Sequence, residues 1–184
     1  MALSDADKAT LLRTARETLE GYLDEGREPR CETDNPALLE HRATFVTLRQ
    51  RATGDLRGCR GETVARRPLI QSVAYMAIAS ATDDPRFPPV GLAELPAIHI
   101  EISALTALEP IAVEEVEVGR HGLLISNGPY SGLLLPQVPV DHGWNRREFL
   151  DWVCRKAGLP DGAWRSDDSD LYGFECEVWE EDDQ

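Results

Sequence analysis

The residues with the most chemical potential lie in one short stretch, "GDLRGCRGE", Gly54 to Glu62. Cys59 stands between Gly58 and Gly61, with Arg57 and Arg60 beside it. Positive charge near a thiol favours the thiolate, the form that attacks electrophiles and binds metals. Glycines let backbone N–H groups approach an anion, and arginine forks grip carboxylates and phosphates at two points. Arginines stand at 49, 51, 57, 60, 66 and 67, opposed within that span by Asp55 and Glu62, so it carries 6 − 2 = +4 in a chain of net charge −14. Two readings follow for the arginines: an anionic small-molecule site, or pairing with the many acids of the chain. Cys59 has two as well: a nucleophile or ligand, or a small buried side chain in a sharp bend. Strand periodicity would put Arg57 and Arg60 on the side opposite Cys59 if a strand continues through them.

Other groups could join such a site. His99 and Glu101 share a strand face two residues apart, a spacing used by metal sites and shown equally by any solvated face. His121, Asp141 and His142 complete the stock of acid–base groups, although Asp141–His142 reads as turn chemistry before a helix cap. In "DDPRFPP", Asp84 and Arg86 are pinned by prolines and either pair with each other or orient a cleft. In "LLLPQVP", Gln137 sits between two prolines in a rigid loop that could present it to a ligand. Cys31, Cys154 and Cys176 stand far apart with no CxxC pair, so neither a zinc site nor a redox motif is written. There is no G-x-S-x-G, GxxxxGK[ST] or H-E-x-x-H, which argues against common hydrolases, P-loop NTPases and zincins.

The whole chain sets the bounds. Its 184 residues suit one domain with room for a small subdomain. At 42% hydrophobic and 28% charged it can bury a core without a disulfide or metal staple. The acidic field repels phosphate backbones and anionic membranes, so nucleic-acid and membrane partners are not expected. No apolar run reaches the roughly 18 residues of a span, and "MALSDADKAT" does not read as a signal peptide. Scattered cysteines fit a reducing, cytoplasmic setting.

The elements that must position these groups are legible in outline. "SDADKATLLRTARETLEGYLDEG" predicts a helix capped by Ser4 and closed at Gly26. "ATFVTLRQRATGDLRGC" predicts a hairpin running into the Cys59 stretch. "RRPLIQSVAYMAIASATDDP" predicts a helix with Pro68 in its first turn. "AIHIEISALTAL" alternates, with Ile98, Ile100 and Ile102 on one face and His99, Glu101 and Ser103 on the other. A second hairpin turns at "SNGPYSG". A helix capped by Asn145, with Glu148 three residues on, ends at Gly158, and "DLYGFECEVWEEDDQ" reads as a last strand. Trp144, Trp152 and Trp164 read as core. Helices do not alternate strictly with strands, so the class is α+β.

In order and spacing, "FVTLRQRATGDLRGCRGE", "DDPRFPPV", "IEISALTALEPI", "GRHGLLI", "GLLLPQVPVDHGW" and "FLDWVCRKAGLP" resemble the AMMECR domain family, the AmmeMemoRadiSam system protein A type, over about residues 5 to 180. The resemblance implies a single α+β domain at 5–180 of two unequal lobes, mostly antiparallel sheet flanked by helices, with the Gly-Cys loop near a cleft between them. It implies no established activity. It favours Glu101 and His121 over His99 and His142, and the system name points to Memo-like and radical S-adenosylmethionine proteins as partners. The family loop reads "LRGCIG", and Arg60 here replaces its aliphatic residue, which requires either an exposed position or an added charge at the site. The expectation is a site for an anionic small molecule or modified group. Cys59 would be its nucleophile or ligand, Glu101 its acid–base group and Arg57 its anion clamp. Gly58, Gly61, Arg86 and Gln137 would be further ligand contacts, with no metal set and no cofactor assigned. The alternative is a non-catalytic module for those two partners.

Overall fold

The computed structural model describes residues 3–182. In chain order it forms α1 (Asp5–Glu25), α2 (Pro36–Leu39), β1 (Thr44–Gln50), β2 (Leu56–Gly61), α3 (Leu69–Thr82), β3 (Ile98–Leu105), β4 (Glu109–Pro110), β5 (Gly122–Asn127), β6 (Tyr130–Leu134), α4 (Gln137–Asp141), α5 (Arg146–Lys156), β7 (Asp170–Phe174) and β8 (Cys176–Glu180). A 3-10 segment, Leu92–Ala97, leads into β3. The chain divides into two unequal compact units, Met1–Ala104 with Glu177–Gln184, and Leu105–Cys176. The class is α+β, as the element order predicts.

In the first unit the strands run β2-β1-β3-β8. β1 pairs antiparallel with both β2 and β3. Val46 and Leu48 of β1 lie opposite Ile102 and Ile100 of β3, and these side chains form one buried core with Leu11 and Leu19 of α1. Each fully buried aliphatic side chain contributes about 1.5–3 kcal/mol relative to exposure. α1 begins on a Ser4–Asp7 capping box, which satisfies orphan N–H groups, and ends at Gly26 with φ 67°.

The Gly-Cys-x-Gly stretch is strand, not a bend: all four residues lie in β2, and neither Gly58 nor Gly61 has a positive φ. The glycines are there for close packing. A Cβ on Gly58 would overlap the Ser80 carbonyl oxygen of α3, and one on Gly61 would overlap the Phe45 ring. Ser80 tightens this junction: its hydroxyl accepts the Arg60 N–H at 2.9 Å and donates to the Val46 carbonyl at 2.7 Å. Arg60 itself is exposed, which is how a charge replaces an aliphatic residue there.

The alternating strand also departs from expectation. His99 and Ser103, on the face whose spacing suits either a metal site or solvent, are buried. β3 is interior to its sheet, and neighbours cover its polar side: His99 lies between Arg51 Nη1 at 3.4 Å and Glu180 Oε2 at 3.2 Å.

The second unit holds the sheet β4-β7-β5-β6. Gly128, with φ 55°, turns the β5–β6 hairpin as a two-residue loop requires. α5, capped by an Asn145–Glu148 box, buries Phe149, Leu150 and Val153 against Leu123 and Ile125. Two expectations fail here. The predicted last strand is two, β7 and β8, which join different sheets. Trp152 is exposed rather than core, stacked on Trp144 with ring centroids 4.8 Å apart. Asp141 ends α4, and its C-cap His142 lies in the turn that precedes the Asn145 cap of α5. Among the described residues no helix is long and apolar enough to cross a membrane.

The glycine packing is testable by thermal unfolding. Gly58→Ala forces a methyl into the α3 backbone and should destabilise by about 1–3 kcal/mol, as overpacking does. Gly91→Ala, where φ is −90° and the nearest atom to a new Cβ is 3.9 Å away, should leave the midpoint unchanged.

Candidate functional site

Strand register assembles the first part of the site. Cys59 of β2 lies opposite Thr47 of β1, and Thr47 lies opposite Glu101 of β3. Directly opposed residues share a face. A thiol, a hydroxyl and a carboxylate therefore form a row across three strands. The Thr47 hydroxyl donates to Cys59 Sγ at 3.3 Å. Glu101 meets Arg49, two residues along β1, with Nε–O 3.6 Å. Cys59 and Glu101 are both half-buried.

The second part comes from the turn after α3. Asp84 is 5% exposed and carries four hydrogen bonds. Its Oδ2 accepts the Cys59 backbone N–H at 2.8 Å and Arg86 Nη2 at 2.7 Å. Its Oδ1 accepts Arg86 Nε at 2.9 Å and the Arg86 backbone N–H at 3.1 Å. A single carboxylate oxygen thus joins the Cys59 backbone to the Arg86 guanidinium. The bidentate Arg86 contact holds the Asp84 carboxyl well below the usual range, against the opposing effect of its burial. Arg86 is raised in turn by its hydrogen bonds to the Asp84 carboxylate. The Arg86 side chain remains 55% exposed, so it presents charge to solvent beside Cys59.

The remaining candidates fall elsewhere. Arg57 is buried, and its guanidinium grips both oxygens of Glu94, at 3.0 and 3.2 Å, and the Pro88 carbonyl at 2.9 Å. That contact lowers the Glu94 carboxyl. These bonds tie the proline segment to β2. The β1–β2 bulge at Leu48/Arg49 places Arg57 differently from its neighbours. Gly58 and Gly61 contact α3 and Phe45, as described above. Gln137 opens α4 in the second unit and is exposed. Four of the six arginines pair with acids: Arg49 with Glu101, Arg51 with Glu181, Arg57 with Glu94 and Arg67 with Glu62. The pairing reading thus accounts for most of the local positive charge.

Burial pushes the Cys31 and Cys154 thiols up, away from reactivity. His121 Nδ1 accepts the Glu117 N–H at 3.0 Å, which fixes its ring within a surface loop. Among the described residues no three His, Cys, Asp or Glu side chains converge as a metal set. Sequence reasoning did not find Thr47. Its signal was the hairpin register, which a bulge obscures. It noted Asp84 but not its bond to Cys59, a contact between positions 25 apart.

A family model described as AMMECR1 matches residues 12–179 of this chain. Protein MK0488 of Methanopyrus kandleri is 42% identical over 181 residues, 94% of this chain and 87% of that protein. A protein of Thermococcus gammatolerans is 45% identical over 183 residues, covering 94% and 89% of the two chains. The crystal structure of an uncharacterized protein, PH0010 of Pyrococcus horikoshii, is similar with a TM-score of 0.81 at 43% identity, covering 94% of this chain and 90% of that one.

Asp84 also makes a pH prediction. Its folded pKa lies below its unfolded value, so in the acid range the unfolded chain binds the extra proton. Its stabilisation is full above the ordinary carboxylate range and is lost as the pH falls toward the folded value. Denaturant titrations from neutral to acid pH should show Asp84→Asn less stable at neutral pH and shallower in its acid loss. Parallel curves for the two proteins would contradict this role.

Proposed function

The chain belongs to the AMMECR1 family, and we propose that the Cys59–Thr47–Glu101 row binds, and can transform, an anionic small molecule or an anionic modified group. The observation that carries this reading is the exposed Arg86 guanidinium, fixed by Asp84 through the same oxygen that holds the Cys59 N–H. Arg86 is the anion clamp. Arg57, engaged with Glu94 and Pro88, stiffens the segment that carries it. Cys59 is the nucleophile or sulfur ligand, with the Thr47 hydroxyl donating to its sulfur. Glu101 is the acid–base group at the far end of the row, and Arg49 beside it supplies a second positive charge. Fixed donors aimed at a developing charge need no reorganisation during a reaction, which is the use of a clamped arginine. Gln137 has no assigned role in this reading.

A second reading, a docking module for Memo-like or radical S-adenosylmethionine proteins, is supported by one feature. Arg57 holds the Pro88 carbonyl, so exposed residues of the proline segment are presented rigidly. Its test is co-purification with either partner class. A complex lost on Arg57→Ala but kept in Cys59→Ser favours docking, and the absence of any complex counts against it.

Charge-selective alkylation tests the first reading. Iodoacetate and iodoacetamide deliver similar groups, and the first is an anion. Peptide mass spectrometry should show Cys59 labelled faster by iodoacetate relative to iodoacetamide than Cys31 or Cys154. Arg86→Gln should remove most of that preference, and added salt should weaken it. A preference untouched by Arg86→Gln contradicts the proposal.

A further inference from the structure

A recess in the first unit, away from the Cys59 row, has the features of a ligand site. Its volume is about 410 Å³, and it is lined by Arg16, Glu20, Arg51, Leu92, Leu95 and Pro96. That volume falls within the range of small-molecule sites. Leu92 is exposed at 42%, although it lines a concave surface with Leu95 and Pro96. Leu92 and Pro96 therefore stand open to solvent, with Leu95 buried behind them.

The polar groups of the recess are unequally engaged. Arg16 donates Nε to Glu181 Oε1 at 3.0 Å, Nη2 to Glu181 Oε2 and the Ile98 carbonyl, and Nη1 to the Leu95 carbonyl at 2.8 Å. Four of its five N–H groups are in use. Arg51 uses two, Nη2 to Glu181 Oε2 at 2.8 Å and Nη1 to His99 Nδ1 at 3.4 Å. Three of its donors are therefore available. Glu20, one helical turn after Arg16, has no hydrogen-bond or ion-pair partner among the described residues. The Glu181 carboxylate shows what this arginine pair selects: it sits against both guanidiniums and also accepts the Ile100 N–H at 3.1 Å.

We propose that this recess binds an apolar amino acid, with its carboxylate on Arg51, its ammonium on Glu20 and its side chain against Leu92, Leu95 and Pro96. A ligand with only a carboxylate leaves Glu20 facing like charge. A ligand with only an amine leaves the spare Arg51 donors unused. The zwitterion satisfies both, and the exposed Leu92 and Pro96 set the preference for an apolar side chain.

Isothermal titration calorimetry of the full chain with leucine, 4-methylpentanoate and 3-methylbutylamine tests this. Leucine should give saturable one-to-one binding, and each singly charged analogue should bind about tenfold or more weakly, the loss of one charge-assisted contact. Glu20→Gln should bring leucine down to the level of 4-methylpentanoate. Arg51→Gln should abolish binding of both carboxylates. Because Arg51 also braces Glu181, Leu92→Asp serves as a second variant: it alters an exposed side chain, leaves the arginines intact and should weaken leucine binding. Cys59→Ser should bind as wild type. No saturable leucine binding in the millimolar range overturns the proposal, as does binding unchanged in both Arg51→Gln and Leu92→Asp. Equal affinity for leucine and 4-methylpentanoate overturns the amino-acid assignment.

Discussion

The buried carboxylate of Asp84 is the point at which the architecture of the first unit becomes a candidate site. A buried, ionised carboxylate is unfavourable unless charge and hydrogen bonds compensate it. Here the compensation comes from three donors: the guanidinium of Arg86, the backbone N–H of Arg86, and the N–H of Cys59 on the edge strand. The last of these ties the turn after α3 to β2 and also covers an edge-strand donor that could otherwise pair with another chain. The position of Arg86 relative to Cys59 follows from satisfying Asp84.

The two faces of β2 divide the work. On one, Gly58 lets the α3 backbone come close, and Ser80 bridges the β1–β2 ladder. On the other, Cys59, Thr47 and Glu101 line up across the sheet. Close packing on the first face fixes the backbone that carries the second. Arg57 contributes from the edge by fastening the proline segment, so this arginine, two positions before Cys59, is structural and Arg86, 27 positions after it, faces solvent.

Much of this was legible in the sequence, for identifiable reasons. Caps at Ser4 and Asn145, glycines at 26 and 158 and the alternation around Ile98–Ile102 are local signals, and each marks a real element boundary or face. Family membership was legible because six blocks span the chain. The register row was half legible: Cys59 and Glu101 stood out by residue type, whereas Thr47 between them is revealed only by strand pairing. The Asp84–Cys59 bond and the pairing of Arg57 with Glu94 were not legible, because tertiary partners 25 and 37 positions apart leave no periodic trace. The same holds for His99 and Ser103. Alternation specifies that two faces differ, and the neighbouring strands decide whether the polar one meets water.

The most direct measurement of the central constraint is hydrogen exchange by NMR at the Cys59 amide and the Arg86 Nε–H, in the wild-type chain and in Asp84→Ala. If one carboxylate holds both groups, both should be protected in the wild type and both should lose protection together in the variant. The Glu62 amide, bonded to the Thr44 carbonyl of β1, should keep its protection. Fast exchange at Cys59 in the wild type, or protection that persists at both positions without Asp84, would contradict the account.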